Sequence, residues 1–89
     1  MFLAEVTGTV VATRKHDSLT GSKLLLVRDM SATAKNKPTL VAVDVVGAGK
    51  GEIVLVATGS AARLSMQNKE ASADLAIVGI VDQVEGAIK

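Results

Sequence analysis

The sequence predicts an all-β fold: five short strands closing into a small, mostly antiparallel barrel, with one short helix before the last strand. Three observations predict it. Segments rich in Val, Ile, Leu and Thr recur along the chain, separated by glycine-rich or polar turns. Only one stretch, residues 60–66, gathers helix formers behind a side chain able to cap them. The length of 89 residues suits one domain spanning 1–89, without linker, internal repeat or low-complexity tract.

Taken in order, residues 2–13 are rich in Val and Thr and form the first strand, with Gly8 marking a bulge or a point of close packing. Residues 16–21 are a polar turn. The apolar run Leu24-Leu25-Leu26-Val27, fenced by Lys23, Arg28 and Asp29, has the length of a strand buried on both faces. Residues 30–38 are small and polar, hold the single proline, and read as a loop. Residues 39–46, apolar and β-branched except for Asp44, make a third strand. Gly47, Gly49 and Gly51 then impose a tight turn before a fourth strand over 52–58. Ser60 is placed to cap a helix of about two turns ending near Asn68. Residues 74–85 return to strand around Gly79, and Gly86 ends it. Among five-stranded architectures, the OB-type barrel is the common one that manages its edges.

The strands at 23–27, 53–56 and 75–81 do not alternate between apolar and polar residues, although a barrel in water needs a polar outer face. Composition points the same way. The chain is 48% hydrophobic, yet a domain of this size buries only roughly 60–65% of its unfolded surface. Apolar patches left outside usually meet another chain, so an obligate oligomer is expected.

Several function classes fall away. Aromatic residues make up 1% of the chain, with Phe2 the only one, so stacking platforms for single-stranded nucleic acid are lacking. Ten basic against nine acidic residues give a net charge of +1, too weak a field for duplex binding. No cysteine is present for a disulfide, a thiolate nucleophile or a thiolate zinc site. The mean hydropathy of +0.39 excludes disorder. The start Met1-Phe2-Leu3-Ala4-Glu5 has no basic region, and the longest uncharged stretch, 53–62, is far shorter than the ~20 residues of a bilayer span. A soluble cytoplasmic protein without membrane contact is therefore expected.

Candidate chemistry is sparse. A phosphate loop over residues 47–51 would need a glycine where Asp44 stands and a Ser or Thr where Gly51 stands. The dinucleotide pattern would need glycine in place of Glu52. His16 beside Asp17 resembles a base and its orienting acid, but further metal ligands and a nucleophile with an oxyanion hole are missing. Asp44, alone in an apolar strand, has to be exposed, paired, or capping backbone amides of the glycine turn, because an unpaired buried charge costs several kcal/mol. Arg63 either pairs with a carboxylate across a subunit boundary or is a solvated helix arginine. These readings favour a self-associating module over an enzyme.

The order and spacing of several pieces carry a family resemblance across nearly the whole chain. They are Gly8-Thr9-Val10-Val11-Ala12-Thr13, the Leu19 and Gly21 approach to Lys23-Leu24-Leu25-Leu26-Val27, Asp44-Val45-Val46-Gly47-Ala48-Gly49-Lys50-Gly51 with Val54-Leu55-Val56, Gly59-Ser60-Ala61-Ala62-Arg63, and Ala76-Ile77-Val78-Gly79-Ile80-Val81-Asp82. Together they resemble the bacterial microcompartment vertex proteins of the EutN/CcmL type. The resemblance implies an OB-like barrel assembling into a homopentamer. That pentamer would cap a fivefold corner of a cytoplasmic polyhedral shell, a metabolosome or a carboxysome, whose facets are hexameric proteins of another fold. It implies no catalysis and no cofactor. It also places Gly47, Ala48, Gly49, Ser60 and Arg63 near subunit contacts or the axial opening. The end at Lys89, without the extension of some carboxysomal members, leans toward a metabolosome. An OB-type module binding nucleic acid or a small ligand is the alternative.

Overall fold

The computed structural model describes residues 1–11, 23–31, 39–65, 74–83 and 85–86, side chains of 63–65 excepted. Five strands, β1 (Phe2–Val10), β2 (Lys23–Asp29), β3 (Thr39–Asp44), β4 (Ile53–Thr58) and β5 (Leu75–Ile80), surround the core, and a helix α1 (Gly59–Ser65) precedes the last strand. The sheet closes in the order β1-β2-β3-β5-β4. All pairings are antiparallel except β3 with β5, a short parallel contact of Val43 with Ala76 and Asp44 with Ile77. Closure gives every strand a neighbour on both sides, which shortens the open edges that would otherwise invite edge-to-edge aggregation.

Gly8 lies at a bulge, as its place in an otherwise β-branched strand predicts. The register of β1 on β2 slips between Val6, opposite Val27, and Gly8, opposite Leu26. The slip leaves Thr7 free to donate its hydroxyl to Leu26 O at 3.5 Å. A Cβ on Gly8 would stand 3.4 Å from Leu26 Cδ1, so this is also a close approach. A second slip, between Leu55 and Val56, bends β4 against β5.

Two cores explain why the strands do not alternate. Inside the barrel pack Ala4, Val6, Leu25, Val27, Ala42, Ala48, Val54, Val56 and Ile77, with Phe2, Leu40 and Leu75 at the margins. On the outer side Leu24, Val43, Ala57 and Ala76 form a second cluster, closed by Ala62 of α1, which is fully buried. Successive residues such as Leu24 and Leu25, or Ala76 and Ile77, thus face two different cores. The chain's own helix accounts for part of the apolar outer surface that the sequence alone assigns to a neighbour.

Element boundaries differ in several places: β1 ends at Val10, with Val11 already outside the strand expected over 2–13, and β4 starts at Ile53 rather than at 52. β3 stops at Asp44 rather than running to 46, for a reason that belongs to the next section. Helix α1 starts at Gly59, whose φ of 59° turns the chain out of β4, so Ser60 lies exposed within the first turn and is not the cap. β5 ends at Ile80, although Val81 still donates to Ile53 O at 2.8 Å. The polar turn at 16–21, most of the loop at 30–38 and the helix end near Asn68 lie outside the described residues.

Because Ala62 is sealed between α1 and the outer cluster, Ala62→Leu overpacks that contact and is expected to cost about 1–3 kcal/mol. Ala61→Leu, on the exposed side of the same turn, should change stability by less than about 0.5 kcal/mol. Denaturant unfolding of both variants checks the contrast.

Candidate functional site: the turn between β3 and β4

Residues 44–52 link β3 to β4 beside the barrel core, and hydrogen bonds fix most of their path. Asp44 ends β3 because its Oδ1 accepts from the amides of Val46 and Gly47, each at 3.1 Å, which turns the chain away from the sheet. Gly47, with φ of 82°, continues the turn in a conformation that other residues rarely adopt. Ala48 then drops its methyl into the barrel core, where it is 1% exposed. Gly49 donates to Glu52 Oε1 at 2.6 Å, while Glu52 donates its own amide to Gly49 O at 3.1 Å. Gly51, with φ of 90°, donates to Val6 O at 2.8 Å, and Val6 returns a bond to Glu52 O at 2.9 Å. The turn is stitched to β1 at one end and to β3 at the other.

Lys23, at the start of β2, adds a cation. Its Nζ donates to Ala48 O at 3.1 Å and stands 4.0 Å from Asp44 Oδ2. The Asp44 side chain is 1% exposed, so its charge is held by the two amides and the ammonium together. The lysine side chain is half exposed, and at that distance the ion pair itself contributes little. The amide bonds to a charged acceptor are the stronger element. Of the three fates open to Asp44, capping the glycine turn is the main one and pairing the second.

This geometry decides against a phosphate site. The amides of Val46, Gly47 and Gly49 already serve carboxylates of the chain, and that of Gly51 serves Val6 O. The amides of these glycines and of Val46, with which the turn could cradle an anion, are thus occupied, and the carboxylates of Asp44 and Glu52 stand beside them. Ligand binding in the barrel meets a second obstacle, since side chains fill the interior and Ala48 is buried among them. Phe2, the only Phe, Tyr or Trp, is partly buried against the barrel core. On β2 and β3 the outer positions Leu26, Arg28, Thr39 and Val41 carry a single cation and no ring.

Gly47, Ala48 and Gly49 are therefore brought together in one rigid turn. Ser60 and Arg63 sit on a separate element, α1, which packs on β4 and β5. Sequence reasoning did not single out Lys23, Glu52, Val45 or Val46. The signal for Glu52 was its spacing: Asp44 and Gly47, like Gly49 and Glu52, are three residues apart, the separation at which a carboxylate reaches a backbone amide. Reading Glu52 as the first residue of a strand hid that. His16 and Asp17 lie outside the described residues, and no group of three potential metal ligands occurs among the described ones.

Comparison with known proteins supplies the decisive observation. Residues 1–82 match the model of a family described as "Ethanolamine utilisation protein EutN/carboxysome". The chain belongs to this family. It is 52% identical to the bacterial microcompartment shell vertex protein GrpN of Rhodospirillum rubrum (strain F11), over 96% of this chain and 97% of the relative. It is 51% identical to the carboxysome shell vertex protein CcmL of Synechocystis sp. (strain PCC 6803), over 98% and 88%. The solved structure of the R. rubrum GrpN pentameric microcompartment shell protein superimposes with a TM-score of 0.84 at 48% identity, covering 98% of this chain and 100% of that one. The EutN/CcmL barrel and its glycine turn are thus common ground between the sequence resemblance and the fold.

Removing the Asp44 acceptor frees two amides that water satisfies less well in this half-covered turn. Asp44→Ala is expected to cost about 1–3 kcal/mol, and Asp44→Asn, which keeps an acceptor, less than half of that. Thermal unfolding of the two variants against the parent checks the order.

Proposed function

We propose that this EutN/CcmL chain is a structural subunit of a bacterial microcompartment shell: five copies close into a ring that caps a vertex, without catalysing a reaction. The observation that carries the reading is likeness over the full chain to a protein described as a pentameric shell protein, at 48% identity and a TM-score of 0.84. Relatives at 52% and 51% identity are named as shell vertex proteins, one of a microcompartment and one of a carboxysome. Neither name is that of an enzyme.

The physics of the chain supports association. Outside the region covered by α1, the outer face keeps Leu26 and Val41 paired across β2 and β3, and Leu3 paired with Leu55 across β1 and β4. Val41 is 49% exposed. These patches lie on different sides of the barrel, which suits a head-to-tail contact repeated around a ring, since an isologous dimer would use one patch twice and leave the other in water. In this reading the ring sits in a shell within the bacterial cytoplasm and its rim meets hexameric facet proteins. The turn at Gly47, Ala48 and Gly49 and the helix residues Ser60 and Arg63 lie near subunit contacts or the axial opening.

Light scattering after size exclusion tests this directly. Five chains of 9.1 kDa give about 45 kDa, and that mass should persist across protein concentrations. A concentration-independent single-chain mass would remove the vertex role. Co-expression with hexameric shell proteins should then give closed particles, while a labelled oligonucleotide at low salt should show no binding.

A further inference from the structure

Two residue pairs join β3 to β5, Val43 with Ala76 and Asp44 with Ile77. Every other pair of neighbouring strands shares at least four. The β3–β5 contact is also the one parallel pairing, the weaker kind per residue. Past it the amide of Val45 reaches Ile77 O at 3.4 Å, whereas the bonds that tie the following turn to β1 measure 2.8 and 2.9 Å. The barrel therefore has a seam. Across the barrel from it lies β1, paired at length on both sides.

Helix α1 lies over this seam. In the outer cluster around the fully buried Ala62, Leu24 and Val43 come from one side of the seam, Ala57 and Ala76 from the other. The helix itself belongs to the β4–β5 side. It follows β4 directly, and the amide of Gly59 at its start donates to Asp74 O, beside the start of β5, at 2.9 Å.

We infer that the barrel opens along β3–β5, with β1–β4 as the hinge, and that α1 is the strap that holds the seam shut. In this opening β4, α1 and β5 swing as one body away from β3, while the ladder of β1 on β2 persists. Few backbone bonds break, so the outer cluster under Ala62 and the seat of Ile77 in the inner core are what resist it. An open seam lays bare N–H and C=O groups of β3 and β5, a template for a strand of another chain. The strap thus guards each chain against edge-to-edge pairing.

The chain has no cysteine, so a single introduced one reports opening through its labelling by a thiol reagent. Val43→Cys and Ile77→Cys stand on the outer and inner sides of the seam, and Val6→Cys, on β1, is the reference. All three positions are at most 3% exposed. In the native protein the two seam thiols should label at least about tenfold faster than the reference. Their rates should rise only weakly with guanidinium, because a seam exposes less surface than unfolding of the whole chain, and that of Val6→Cys should rise steeply. Added to Val43→Cys, Ala62→Gly should speed labelling about fourfold more than Ala61→Gly. Both glycines weaken the helix, and only the first removes a buried methyl. Equal denaturant slopes at all three sites would mean that the barrel opens only as a whole, and overturn the inference. A steep slope at Ile77→Cys with a shallow one at Val43→Cys would mean that the helix lifts alone, and overturn the seam. Equal effects of the two glycines would overturn the strap.

Discussion

The Asp44 carboxylate, bonded to the amides of Val46 and Gly47, fixes where the third strand stops and where the chain goes next. Without that acceptor the β-branched run 39–46 has every reason to continue as strand. With it, the chain bends away from the sheet, Gly47 accepts a positive φ, and Ala48 reaches the core. Glu52 repeats the device from the other side by accepting from Gly49. Two carboxylates, each three residues from its amide, convert a glycine-rich stretch that would otherwise be costly to order into a fixed turn.

The second constraint is volume. A five-stranded barrel has a narrow interior, and this one is filled by Ala, Val, Leu and Ile with no cavity-spanning ring. Small residues recur where elements pack together: Ala62 of the helix, Ala57 and Ala76 beneath it, and Gly8 against the Leu26 side chain. That leaves the larger apolar residues Leu26, Val41, Leu3 and Leu55 on the outside. The same packing that makes the barrel tight therefore makes the monomer's surface apolar, and self-association is the natural remedy.

Much of this was legible in the sequence. Five strands, the helix before the last, the bulge at Gly8 and the turn at 47–51 follow from local chemistry, because β-branching, glycine and proline act within a few residues. Two things did not follow. Leu24-Leu25 and Ala76-Ile77 looked like strands awaiting a neighbour, because periodicity records that both faces are buried and not what buries them; here α1 covers one face. At the site, the glycines and Asp44 could be read as a turn with a candidate cap. Lys23 joins them only through the pairing of β2 with β3, which sets it opposite Asp44 at a separation of 21 positions in the chain. Ser60 was misassigned because a left-handed glycine can take over the role of a cap, and φ is not written in residue type alone.

A shell corner asks for different physics from a binding barrel of the same topology. An OB-type barrel that reads a ligand keeps donors, rings and charge free on one face. In this chain the amides of Val46, Gly47 and Gly49 are taken by its own carboxylates and that of Gly51 by Val6 O, the phenyl ring is packed against the core, and Ala48 is buried in that core. Polar groups satisfied from within bind nothing else, so recognition is left to apolar shape. That is an advantage where copies must meet one another in one fixed geometry and ignore the solutes around them.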